Sequence, residues 1–176
     1  MALTKIIGSG ISGVTVGNFI TMADQWRLTG STNEGSNADV TGTWERNDSS
    51  GWGGIGVSAF GLTESSGVFS FATTGVYLIY FSADFFMTNN DGSASFELKV
   101  TINNSDFNTV SKAHSGSSGG GSTTIQGGSN TFLFDVSNIT THKFKFVTAS
   151  MGSSTKLNGS STIQRTGFTF IRLGDT

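Results

Sequence analysis

The chain has 176 residues, a formal net charge of −2 and only 12% charged residues, where an ordinary soluble domain carries about 25%. It holds 26 Ser, 24 Thr and 25 Gly, yet Leu, Ile, Val and Phe number 44, enough apolar mass for one folded domain and too much for a disordered chain. Ten scattered Lys and Arg exclude an electrostatic nucleic-acid binder, and the lack of Cys excludes disulfides, thiolate metal sites and cysteine nucleophiles.

The N-terminal stretch Met1-Ala2-Leu3-Thr4-Lys5-Ile6-Ile7 has one cation and a two-residue apolar patch, so it reads as neither signal peptide nor anchor. The longest unbroken apolar run, Val76 to Phe81, falls far short of the ~20 residues a membrane span needs. No membrane insertion is expected. Residues 1–23 carry Ile6, Ile7, Ile11 and Phe19 among Gly8, Gly10, Gly13 and Gly17, with no clean period. This is the composition of an extended arm that orders against a partner, and those four apolar residues are its candidate docking contacts.

From residue 24 onward the grammar is that of strands. Trp26-Arg27-Leu28 opens the series, and 29–43 follows as a Ser/Gly/Thr/Asn-rich loop. Val68–Phe71 and Val76–Met87 are the next strands, separated by a turn at Gly75. In the second of these, Tyr77, Ile79, Phe81, Ala83, Phe85 and Met87 form one apolar face, while Val76, Leu78 and Tyr80 make the first half of the other face apolar as well. A strand apolar on both faces must be covered on both sides, and a second subunit is the natural cover. After a turn at Asn89-Asn90-Asp91-Gly92 comes Phe96–Ile102, with Phe96, Leu98, Val100 and Ile102 expected in the core and Glu97, Lys99 and Thr101 in water. Asn108–Ala113, Thr131–Val136, Lys143–Thr148 and Gly167–Leu173 complete the set, with loops at Ser115–Ser122 and Gly152–Ser161. About eight to ten short strands predict an all-β, two-sheet antiparallel sandwich.

Two stretches carry a resemblance. Gly67-Val68-Phe69-Ser70-Phe71-Ala72-Thr73-Thr74-Gly75-Val76-Tyr77-Leu78-Ile79-Tyr80 and the closing Gly167-Phe168-Thr169-Phe170-Ile171-Arg172-Leu173 resemble the corresponding strands of the C1q/TNF-like jelly-roll superfamily, over a domain spanning 24–176. The resemblance implies a homotrimer whose axis is lined by the outward apolar residues of this sheet. Leu78, Tyr80 and Ile171 would face that axis, with Val76 beside them. The cysteine-free, Ser/Thr/Gly-rich style is similar to that of structural proteins of tailed bacteriophages.

Chemical motifs are weak. Gly8-Ser9-Gly10-Ile11-Ser12-Gly13 matches a dinucleotide fingerprint without the strand and helix that fingerprint needs. Gly116-Ser117-Ser118-Gly119-Gly120 matches a nucleophile elbow but lies in a loop. His114 and His142 read as surface residues at strand edges, and Asp84, Asp91 and Asp106 fit no calcium loop. Trp44 and Trp52 lie among loop formers and read as packing for the first strands and the sheet's edge, with glycan contact as the alternative. No catalytic residue, cofactor or metal is expected.

The function these readings predict is a non-enzymatic virion protein, made in the host cytoplasm. It would be a trimeric knob docked by its arm on other virion proteins such as the major capsid protein, as a capsid decoration or cement. The alternative is a tail-fibre tip that binds host-surface glycans or a receptor.

Overall fold

The computed structural model describes residues 20–33, 35–87, 91–117 and 123–176. Among them run eleven strands: β1 (Ala23–Leu28), β2 (Trp44–Arg46), β3 (Thr63–Ser65), β4 (Val68–Ser70), β5 (Gly75–Met87), β6 (Ala94–Thr101), β7 (Asn108–Ser115), β8 (Thr124–Val136), β9 (Lys143–Ala149), β10 (Lys156–Leu157) and β11 (Gly167–Gly174). One helical turn, α1 (Val57–Phe60), interrupts them.

All strand pairs are antiparallel, and they form two sheets. The first has the order β2-β1-β11-β5-β8, with β10 paired to β5 at Phe85 and Phe86 beyond the reach of β11. The second has the order β3-β4-β9-β6-β7. From β4 to β9 the chain crosses between the sheets at every step except the β6–β7 hairpin, which is the winding of a jelly roll. The two-sheet antiparallel sandwich read from the sequence is the one observed.

Between the sheets lies an aromatic core, built because Phe recurs at every second position of the facing strands. Phe69 stacks on Phe144 at 5.0 Å between ring centroids, Phe96 stacks on Phe146 at 4.6 Å, and Phe168 meets Phe69 edge-on at 4.8 Å. Each fully buried ring or aliphatic chain stabilises the fold by about 1.5–3 kcal/mol. The inner face of β5, from Tyr77 to Met87, is buried throughout. Two sheet edges also cover each other: Asn130 Nδ2 donates to the Lys112 carbonyl at 3.0 Å, so β8 runs against β7.

Four expectations need correction. Ile102 is 65% exposed, because β6 stops at Thr101 and Asn103 Oδ1 accepts from the amides of Ser105 and Asp106, turning the chain past the end of the sandwich. Glu97 and Thr101 are buried rather than solvated, Glu97 beneath Lys112 and Thr101 through its hydroxyl contact with Asn103. His142 is buried, stacked on Phe134 and bonded to Ser137 and Thr141. Lastly, the domain begins before residue 24: Met22 is fully buried, its carbonyl accepts the Arg172 amide at 3.0 Å, and Ala23 already pairs with Ile171.

Candidate functional site

The outward positions of β5 are Val76, Leu78, Tyr80, Ser82, Asp84 and Phe86, since its inward positions fill the core. Register brings partners to each. Leu78 lies between Leu133 of β8 and Ile171 of β11, and Tyr80 lies between Thr131 and Thr169. Val76 lies beside Asp135 and Gly174, next to the bulge that carries Leu173. Three adjacent strands thus present one apolar surface. Leu133 is 58% exposed, Tyr80 45% and Leu173 44%, while Val76, Leu78 and Ile171 are half-buried. The four residues expected from the sequence to line an interface, Val76, Leu78, Tyr80 and Ile171, therefore share one patch.

Leu133 and Leu173 belong to the same patch and were not expected there. Leu133 had a signal: Phe132 and Phe134 cannot both face inward with it, although Phe132 is itself only partly buried at the margin of the core. Farther along the face the chemistry turns polar. Asp84 accepts from Arg165 Nη1 at 3.0 Å and from Asn158 Nδ2 at 3.1 Å, which interrupts the apolar surface before Phe86 and the exposed Ile125 beside it. At its other end, Arg172 Nε donates to the Thr74 carbonyl and Tyr77 OH to the Thr73 carbonyl, locking the turn into β5. Burial pushes the Tyr77 phenol above its ordinary pKa, and the nearby Arg172 charge opposes that rise.

The tryptophans separate. Trp44 packs against the core, its ring 5.4 Å from Phe69 and 5.6 Å from both Phe146 and Phe168, with Nε1 donating to the Val40 carbonyl. Trp44 thus packs against the core while remaining only partly buried. Trp52 is 36% exposed, and the Arg27 guanidinium lies 5.2 Å from its ring centroid. Both therefore keep surface that a ligand could reach, Trp52 more than Trp44.

The proposed docking residues Ile6, Ile7, Ile11 and Phe19 lie outside the described residues. The described chain starts at Ile20, 51% exposed, and enters β1 directly beside Ile171. Ile20 thus lies three residues before Ala23, which pairs with Ile171 of the apolar surface. The acidic residues serve the fold: Asp91 accepts from the Gly152 amide at 2.8 Å and from Thr155, and Asp106 accepts from Asn103 Nδ2 at 2.6 Å. Among the described residues no group of three or more His, Asp or Glu is placed to hold a metal ion. The Gly116–Gly120 motif lies partly outside the described residues, and Gly8–Gly13 wholly so.

No protein-family model matches this chain, and no curated protein matches it. Solved structures do. Murine APRIL is 12% identical, with the alignment covering 86% of this chain and 98% of APRIL at a TM-score of 0.57. The Eiger TNF from S. frugiperda is 15% identical, covering 90% of this chain and 96% of Eiger at a TM-score of 0.58. At these identities the likeness establishes the fold, a TNF-like jelly roll.

Proposed function

We propose that the chain is a non-enzymatic structural protein that works as a homotrimer assembled through the outer face of its first sheet. The observation that carries this is the apolar row Leu133, Leu78 and Ile171, flanked by Val76 and the exposed Tyr80. Contiguous apolar surface of this kind marks an association site, because its burial removes it from water. A TNF-like jelly roll with that face uncovered is suited to closed three-fold packing, which buries the same face of every copy.

Within that reading the trimer is a virion knob. Its arm, residues 1–23, carries Ile6, Ile7, Ile11 and Phe19 to a larger particle whose major capsid protein is the main partner. The support is compositional, an apolar but Gly-rich arm on a Ser/Thr/Gly-rich domain, joined by the position of Ile20 three residues before the Ala23–Ile171 pair. A fibre tip is the second reading, favoured by Trp52, which offers aromatic surface on a loop.

Quantitative mass spectrometry of purified particles tests this function. A decoration protein is present in tens to hundreds of copies per particle, and a fibre tip in far fewer. Absence from purified particles overturns both readings.

A further inference from the structure

The outer face of the second sheet carries chemistry that self-association does not use. Four of the six lysines of the chain, Lys99, Lys112, Lys143 and Lys145, stand there, because Phe96, Leu98 and Val100 of β6 and Phe144 and Phe146 of β9 take the inward positions. Two carboxylates answer them. Glu97 holds Lys112 at 2.7 Å, and Asp39 holds Lys145 at 2.7 Å. Lys99 and Lys143 have no carboxylate partner among the described residues; Asp106, in the neighbouring loop, accepts from Asn103 instead.

Lys99 is directly opposite Lys145 in the β6–β9 ladder, and Lys143 is two residues along the same strand. Strand geometry puts the Lys99 and Lys145 stems about 5 Å apart, and Lys143 about 7–8 Å from each. Like charges close together on a sheet are destabilising. Lys145 is answered by Asp39 and by the Phe107 ring, 4.6 Å from its Nζ, so the charges left for an anion are those of Lys99 and Lys143. Ser70, opposite Lys143, and Thr109, opposite Lys99, add hydroxyls at the rim.

The surface also says what kind of anion. Protein interfaces centre on exposed aromatic and aliphatic anchors and are poor in lysine. None of the exposed large apolar side chains lies in β4, β6, β7 or β9, and Val147, outward on β9, is buried. What remains is a face of ammonium and hydroxyl groups with the partly buried Phe107 ring against Lys145, suited to a polymer that repeats carboxylate or sulfate groups among hydroxyls and sugar faces.

We propose that this face binds a linear acidic polysaccharide, with its anionic groups seated at Lys99 and Lys143, beside the Asp39-paired Lys145. The site lies on the opposite sheet from the association surface and does not depend on the trimer. Titration of the full chain with polyuronate, dextran sulfate, neutral dextran and duplex DNA at low salt tests it. Binding to either acidic polysaccharide, none to neutral dextran, and a loss of about tenfold or more in the Lys99→Ser/Lys143→Ser double variant are expected, with Lys156→Ser, on the other sheet, within about twofold of the parent. Polyuronate binding without dextran sulfate binding would assign carboxylates as the recognised groups, and the reverse would assign sulfates. No binding to either polymer overturns the proposal and leaves the face to an acidic protein. Equal loss in Lys156→Ser, an unchanged double variant, or equally tight DNA binding also overturns it.

Discussion

Leu78 of β5 stands directly opposite Leu133 of β8 on the outer face of the first sheet, with Leu133 58% exposed. A sandwich needs apolar side chains between its sheets, not outside them, so this pair has no role in the fold of a single chain. It acquires one when a second copy covers it. Leu78→Asp and Leu133→Asp should each convert the assembly to single chains, since three carboxylates buried near an axis cost several kcal/mol of association free energy. Ile102→Asp, at a comparably exposed position away from this sheet, should leave the mass unchanged. Light scattering of the three variants checks this; an associated Leu133→Asp protein would place the interface elsewhere.

Gly75 has φ of +146°, and a Cβ there would meet Gly174 O and Arg172 Nε at 2.6 Å. Gly75→Val therefore combines backbone strain with a clash against the end of β11. It should lower the melting temperature by about 5–10 °C. Gly92→Val, where an added Cβ meets nothing within 4 Å, should shift it little. Similar melting curves for the two would remove the close approach as a folding constraint.

Burial alone pushes the Glu97 carboxyl up, but hydrogen bonds from Lys112, Thr109 and Ser95, with the Lys112 charge, outweigh it and hold the group below its ordinary value of 4.5. A depressed folded pKa contributes stability that is fully present above the unfolded value and lost as pH falls through the folded one. Glu97→Gln should thus be less stable than the parent at pH 7, with the gap closing as pH drops below about 4.5. Denaturant titrations at pH 7 and pH 3 measure it. A gap that persists at pH 3 would mean that the side chain acts through shape alone.

The N-terminal boundary is open to the same kind of test. A chain beginning at Ile20 keeps Met22 in the core and the Arg172 amide satisfied, and should melt like the full chain. One beginning at Ala23 loses both and should be destabilised by about 2–5 kcal/mol, the usual cost of emptying a buried methionine site. Equal melting temperatures would make Met22 part of the arm.

Alternation made the strands legible where it was strict. Phe96, Leu98 and Val100, or Phe144 and Phe146, announce an inner face because every second residue must point the same way. It failed where packing is decided by distant chain. Gly127 and Gly128 hide the first half of β8, and a Cβ on Gly128 would lie 2.6 Å from the His114 carbonyl of β7, a contact no local pattern contains. Glu97 looks solvated by period and is buried by its neighbours across the sheet. Trp44 sits among loop formers, yet it packs against the rings of Phe69, Phe146 and Phe168. The apolar outer face was visible only in part: β5 exposed it through Val76, Leu78 and Tyr80, while Leu133 joined by register, which sequence does not supply.

The central claim is that the face around Leu78, Tyr80, Leu133 and Ile171 is buried between copies of this chain. Sedimentation equilibrium of the full chain at micromolar concentration tests it most directly. A mass of three chains is the predicted result; a mass of one chain, with Leu133 and Tyr80 left in water, would contradict it.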